Sequence, residues 1–116
     1  MAYDLYLGER IEQLLRNRHI SYYTKKMMGG LVFFFNEKMA FGIFLDKSNS
    51  DSLLMLKIGE ENYKREIKKE VTRPMDFTGK ASKGYIFVTA DGFDLEEDLS
   101  YWITLAVSYN ATTYGK

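Results

Sequence analysis

Apolar positions along this chain follow two periods, and each change of period marks an element. Leu7, Ile11, Leu14 and Leu15 fall on one face of a helix, with Glu9, Arg10, Glu12, Gln13 and Arg16 turned to water. Asp4 stands where an N-cap is needed, so the spacing predicts a helix over 5–18. Residues 22–26 read as a strand lead-in, and 31–35 is a continuous apolar run of strand length. Asn36-Glu37 then turns the chain into a second strand, 38–45, although glycine would suit the second turn position better than Glu37. A polar loop over 47–52 leads to a third strand, 53–58. Gly59 opens a helix over 60–70, with acids in front, lysines behind and a thin stripe of Tyr63 and Ile67 that suits the edge of a core. Pro74 ends that unit. A short strand at 75–77, a loop at 78–83 and a firm strand at 85–89 follow. Asp91-Gly92 turns the chain, and Asp94 with Glu97 has the spacing of a capping box. Leu95, Leu99, Trp102, Ile103 and Ala106 form the stripe of a closing helix, and a tail over 110–116 is expected to fray.

This order, αβββαββα, predicts an α+β fold: a two-layer sandwich of one antiparallel sheet with helices on one face. At 116 residues the chain is expected to form a single domain, 1–116, with a radius of gyration of roughly 13 Å. Strict alternation leaves apolar groups on both sheet faces. Met39, Phe41, Ile43 and Leu45 share one side and Ala40 and Phe44 the other, while Leu31, Phe33 and Phe35 oppose Val32 and Phe34. Three helices cover one face only, so the other is expected to meet a second copy or a docked partner.

Composition narrows the chemistry. Sixteen basic and sixteen acidic residues cancel, which removes any whole-chain attraction to nucleic acid or anionic membranes. No cysteine is present, so thiolate catalysis, disulfides and sulfur-ligated metals are excluded. The single histidine, His19, reads as a solvated turn residue. No signal segment or apolar span is visible, and a cytoplasmic location is expected.

Several blocks together resemble the amino-terminal domain of the TfoX (Sxy) family. They are Lys25-Lys26-Met27-Met28-Gly29-Gly30-Leu31-Val32-Phe33, Met39-Ala40-Phe41-Gly42-Ile43, and the strand–glycine–helix block from Leu53 through Gly59-Glu60-Glu61-Asn62-Tyr63. Arg73-Pro74-Met75-Asp76-Phe77-Thr78-Gly79-Lys80 with Lys83-Gly84-Tyr85 completes the set. Met28, Glu37 and Ala81-Ser82 depart from the usual pattern. The resemblance implies a two-layer α+β domain similar to type III secretion chaperones, a bacterial origin and a link to competence (transformation) regulators that act with a transcription regulator. Those regulators carry a second, carboxy-terminal helical domain, and this chain is expected to act as a single domain without it.

Other patterns carry chemistry of their own. Gly29-Gly30 beside Lys25 and Lys26 could nest an anion, or could simply permit close backbone packing. Lys83-Gly84-Tyr85-Ile86-Phe87-Val88 approaches the RNA-recognition pattern, in which Tyr85 and Phe87 would stack on bases. Lys64, Arg65, Lys68, Lys69 and Arg73 form a basic cluster, interleaved with Glu60, Glu61, Glu66 and Glu70 as in a solvated, ion-paired helix. Asp91, Asp94, Glu96, Glu97 and Asp98 suit a helix start better than a calcium loop. No catalytic triad, metal set or cofactor fingerprint is present, and the expectation is a non-catalytic, regulatory protein-interaction domain without cofactors. Its interaction surface is expected to include Lys25, Lys26, Met27, Met28, Gly29, Gly30, Arg73, Met75, Phe77, Gly79, Lys83, Gly84 and Tyr85. A single-stranded nucleic-acid module using Tyr85, Phe87 and the basic cluster is the alternative, and an uncharacterised small-molecule or enzymatic site the third.

Overall fold

A computed structural model describes residues 3–27, 29–46, 49–76 and 81–115, with backbone alone for 76 and 81–83. Helix α1, Leu5–Asn17, begins as the sequence requires: the Asp4 carboxylate accepts from the Tyr6 and Leu7 amides at 2.9 and 3.4 Å. Leu7, Ile11 and Leu15 are buried. The helix closes on a reverse turn in which His19 takes φ +56°, with the Ile20 amide bonded to the Leu15 carbonyl and the His19 amide to that of Arg16. This is the left-handed cap that usually takes glycine. The one histidine is therefore an exposed turn residue.

Six strands follow: β1 Tyr23–Met27, β2 Gly30–Phe35, β3 Lys38–Leu45, β4 Ser52–Lys57, β5 Thr72–Asp76 and β6 Ala81–Thr89. They form one antiparallel sheet in the order β1-β2-β3-β4-β6-β5. The lead-in at 22–26 thus becomes an edge strand of its own and adds one strand to the predicted order. At the other edge, Pro74 lies within β5 instead of ending the unit before it, where its missing N–H is tolerated. Strand β6 begins at Ala81, inside the stretch read as a loop, and residues 77–80 lie outside the described residues.

Between β2 and β3, Asn36 and Glu37 take φ +52° and +64°, the pair of left-handed conformations of a type I′ turn. Asparagine tolerates this region, whereas glutamate pays a steric cost of about 1–2 kcal/mol. Glu37→Gly is expected to stabilise the domain by about 0.5–1 kcal/mol, because relieved strain outweighs the extra freedom of the unfolded glycine. Urea unfolding of the two proteins checks this, and an unchanged midpoint would refute it.

Helix α2, Gly59–Glu66, stops short of the predicted 60–70. The Thr72 hydroxyl lies 3.1 and 2.7 Å from the carbonyl oxygens of Glu66 and Lys69, and a series of turns leads directly into β5. A single 3-10 turn, Ala90–Gly92, precedes helix α3, Glu96–Tyr114. The predicted capping box does not form. Leu95 is the N-cap residue without a side-chain bond, and the Arg10 guanidinium instead holds the carbonyls of Phe93 and Asp94 and the carboxylate of Glu96. Glu96, Glu97 and Asp98 do occupy the first turn, where the helix dipole favours them.

The frayed tail is also corrected, since α3 remains helical to Tyr114. Asn110 is buried, donates to the carbonyls of Phe35 and Lys38 at 3.0 and 3.3 Å and accepts from Asn36. That amide ties the helix to the β2–β3 turn and satisfies backbone groups that would otherwise be orphaned.

All three helices pack on one sheet face. Leu7, Ile11 and Leu15 of α1 and Leu99, Trp102, Ile103 and Ala106 of α3 meet Leu31, Phe33, Phe41, Ile43, Leu54, Leu56, Ile86 and Val88 in one core. Tyr63 and Ile67 flank it, as the thin stripe of α2 predicts. Pairing is irregular between Pro74 and Asp76 in β5 and also within the β2–β3 pair, where alternation fails. A bulge between β2 and β3 sets Phe33 opposite Phe41 but Phe34 opposite Met39, so Ala40 joins Phe41 in the core and Met39 lies on the side of Phe34 instead of sharing the face of Phe41. The radius of gyration is 13.2 Å.

Candidate functional site

The sheet face away from the helices carries the features of a binding surface. Among the described residues no helix packs on it. One cross-strand row runs through Lys25, Val32, Gly42, Met55, Phe87 and Arg73, touching all six strands. Five strand spacings of about 4.8 Å make it about 24 Å long. Val32 and Met55 at its centre are fully buried, although they face away from the core, because larger neighbours screen them. Phe44 is the clearest case: a Cβ on Gly30 would stand 2.5 Å from its ring and one on Gly42 3.0 Å, so the ring lies across both glycines. Gly30 is therefore required for close packing, and a Cβ there would also stand 2.3 Å from the Ile43 carbonyl oxygen. Close packing is thus the role of Gly30, whereas Gly29 has open space around it and supplies the positive φ of +78° in the β1–β2 turn.

At the β1 side, Phe34 stacks on Tyr23 at 5.0 Å between ring centres, with the Lys25 ammonium 5.3 Å from the Phe34 ring. Tyr23 and Met27 are exposed. Towards β6, Tyr85 and Phe87 are half-buried on this same face, as the alternating-ring reading requires, but Met55 sits beside Phe87 where a second platform ring would be needed. At the end of β4, the Lys57 ammonium donates to the Tyr114 hydroxyl at 2.5 Å. Burial works against its charge, but that hydrogen bond and the neighbouring phenols outweigh it and raise its pKa.

The two motif loops do not converge. Lys25, Lys26, Met27 and Gly30 belong to the β1–β2 edge, while Arg73, Met75, Gly84 and Tyr85 belong to β5 and β6 at the opposite edge. Of these, Lys25, Met27, Arg73 and Tyr85 share the open face and lie on opposite sides of it. Lys26 pairs with the core residue Leu31 and so alternates to the helix side. Met75 is buried, and Gly84, with φ +97°, packs against Gly59 at the start of α2. Met28, Phe77 and Gly79 lie outside the described residues, as does the side chain of Lys83.

The basic cluster is largely neutralised within α2 and the turn after it. Lys64 meets Glu60 at 4.0 Å, and Arg65 and Lys69 meet Glu66 at 3.0 and 2.6 Å. Glu66, which the sequence places among the acids of a solvated helix face, is instead fully buried and accepts a hydrogen bond from the Tyr101 hydroxyl at 2.5 Å. Burial pushes its carboxyl upward, but Lys69, Tyr101 and Arg65 together hold it below the ordinary carboxylate range. Lys69 and Tyr101 also line a surface pocket of about 400 Å³ with Asp91 and Asp98. Their polar ends are already committed to Glu66. No group of three metal-ligating side chains occurs among the described residues, and no described helix is long and apolar enough to cross a membrane.

The sheet order and the glycine-supported β1–β2 and β4–α2 junctions place the sequence blocks on one continuous framework, and a model of the TfoX N-terminal domain matches residues 14–109. The chain belongs to the TfoX N-terminal domain family. The match covers most of the 116 residues, from the last turn of α1 into α3. Comparison with curated proteins and with solved structures gives no match. The core contacts of Leu7 and Ile11 show that the turns of α1 before residue 14 are built into the same TfoX N-terminal unit.

Proposed function

We propose that this TfoX N-terminal domain is a non-catalytic interaction module, related to competence regulators, that binds a protein partner through its open sheet face. The observation that carries the reading is the one-sided packing of three helices, which leaves Phe34, Phe44, Leu53 and Phe87 half-buried on a face without a helix. Half-buried rings on a rigid sheet gain apolar burial when a partner covers them, and the ordering cost is low because the sheet already fixes their positions. Family membership supports a regulatory setting, in which a transcription regulator is the kind of partner to expect. The domain carries this role in a cytoplasmic context.

Affinity purification from the native bacterial lysate, with nuclease present, tests the assignment with three baits. Met27→Asp places a charge on the exposed end of the face, and Tyr6→Asp places one on the outer side of α1. A stoichiometric protein recovered with the parent and with Tyr6→Asp, but lost with Met27→Asp, is the expected result. Equal recovery by all three baits would remove the open face from the account. Recovered nucleic acid, released as salt rises, would instead support the stacking-ring reading of Tyr85 and Phe87.

A further inference from the structure

We infer that the open face selects an acidic polypeptide segment, one whose apolar centre is flanked by carboxylates about 24 Å apart. This rests on the proposed function above and specifies its partner. The chain has sixteen basic and sixteen acidic residues, yet the charges divide unevenly between the two layers. Every described charged side chain at an outward strand position of this face is a cation: Lys25, Lys57 and Arg73.

Among the described residues none of the three is in an ion pair. Each is held by neutral groups instead. Lys25 stands over the rings of Tyr23 and Phe34, Lys57 donates to Tyr114, and Arg73 donates to the carbonyls of Glu70 and Thr72 at 2.5 and 2.8 Å. These contacts fix the cations in place without neutralising them, so the charge is preorganised for an anionic partner. Lys25 and Arg73 terminate the same cross-strand row, and the positions between them are apolar.

That pattern selects among occupants. A second copy stacked face to face along the row would bring its like-charged ends together, since the described acids near this face, Asp46, Asp51 and Asp91, are confined to the far end beside Leu53 and Thr89. A single strand of nucleic acid needs a series of phosphate contacts and free ring faces. Here three cations are spread around the rim, Phe34 is already stacked on Tyr23, and the central positions are Val32, Gly42 and Met55. Aliphatic and methionine side chains accommodate apolar residues of many shapes. A segment of about seven extended or about 16 helical residues spans the row.

Selection of random displayed peptides of about 20 residues, long enough for either geometry, against the immobilised full chain tests this. The parent is expected to enrich peptides with paired acids around an apolar centre. The doubly reversed variant, Lys25→Glu with Arg73→Glu, is expected to enrich basic ones and to weaken the acidic peptides about tenfold or more. Lys25→Gln with Arg73→Gln, which leaves the fold less perturbed, is expected to abolish the charge bias. Peptides that depend on the face, as judged by loss with Met27→Asp, but show no charge bias would overturn this inference and leave the proposed function standing. Peptides insensitive to Met27→Asp would overturn both. Tighter binding of a dT20 oligonucleotide, of phosphatidylglycerol vesicles or of a second copy in sedimentation would also overturn it.

Discussion

Replacing Phe41 with alanine is expected to cost about 3–5 kcal/mol, a large part of the total for a domain of this size. Phe41 is fully buried, its ring lies 4.7 Å from that of Phe33 and 5.7 Å from that of Phe35, and it sits in the strand that joins the two halves of the sheet. Truncation removes a ring from the centre of this stack. The backbone around it is held by pairing to β2 and β4 on both sides, so the cavity cannot close cheaply. Phe41→Leu, which keeps most of the volume, is expected to cost far less, about 1.5 kcal/mol. Urea unfolding followed by the fluorescence of Trp102, the single tryptophan, measures both. A loss below about 1 kcal/mol for alanine would show that Phe33 and Phe35 collapse into the gap and that this core is much softer than its packing implies.

Tyr101→Phe is expected to cost about 1–3 kcal/mol at neutral pH, because it removes a donor from a buried carboxylate. The Tyr101 hydroxyl lies 2.5 Å from Glu66, whose side chain has no exposed surface. Lys69 and Arg65 remain as partners, so the charge is not left bare and the variant is expected to fold. The sign of the pH dependence follows from the direction of the Glu66 shift. Its carboxyl is held below the ordinary 4.5, so its stabilising contribution is complete above the unfolded-state value and is lost as pH falls through the lower folded-state one. Removing Tyr101's hydroxyl brings the folded-state value back toward 4.5. The gap between parent and variant should therefore be widest near neutrality and narrow in acid, below about pH 4. Urea unfolding at about pH 7 and about pH 3 reads this directly. A gap that does not change with pH would show that the hydroxyl contributes packing alone.

The elements read correctly from the chain are those whose signals are local. Asp4 caps the helix it precedes, Asn36-Glu37 turns the hairpin it separates, and the 38–45 strand appears with the predicted bounds. Each depends on residues within a few positions of one another, where spacing and backbone sterics already select a conformation. The blocks shared with the family are of the same kind, since they are strand and turn segments in fixed order. The site was legible to the same depth. Tyr85, Phe87, Met27 and Gly30 were visible as candidates, but how they are placed relative to one another was not.

Strand order decided that placement. It sends the Lys25–Gly30 and Arg73–Tyr85 blocks to opposite edges of one face, and it aligns Lys25 with Arg73 through four intervening residues. Pairing across a sheet joins residues far apart in the chain, and no local period encodes which strand will be the neighbour. The same reason explains Glu66 and Asn110, two polar residues on helix surfaces that became buried. One accepts from a tyrosine 35 positions away, beside its local ion pairs to Arg65 and Lys69, and the other bonds a turn more than 70 positions away, so burial of each depends on a distant partner that only the folded chain supplies. By itself the sequence determined the helix faces, most strands, the hairpin turn and the family, all set by short-range sterics and hydrophobic period. Only the tertiary structure decided that Lys25 and Arg73 end one row of the open face and that Glu66 is buried on the helical side, because that placement is a property of which surfaces meet.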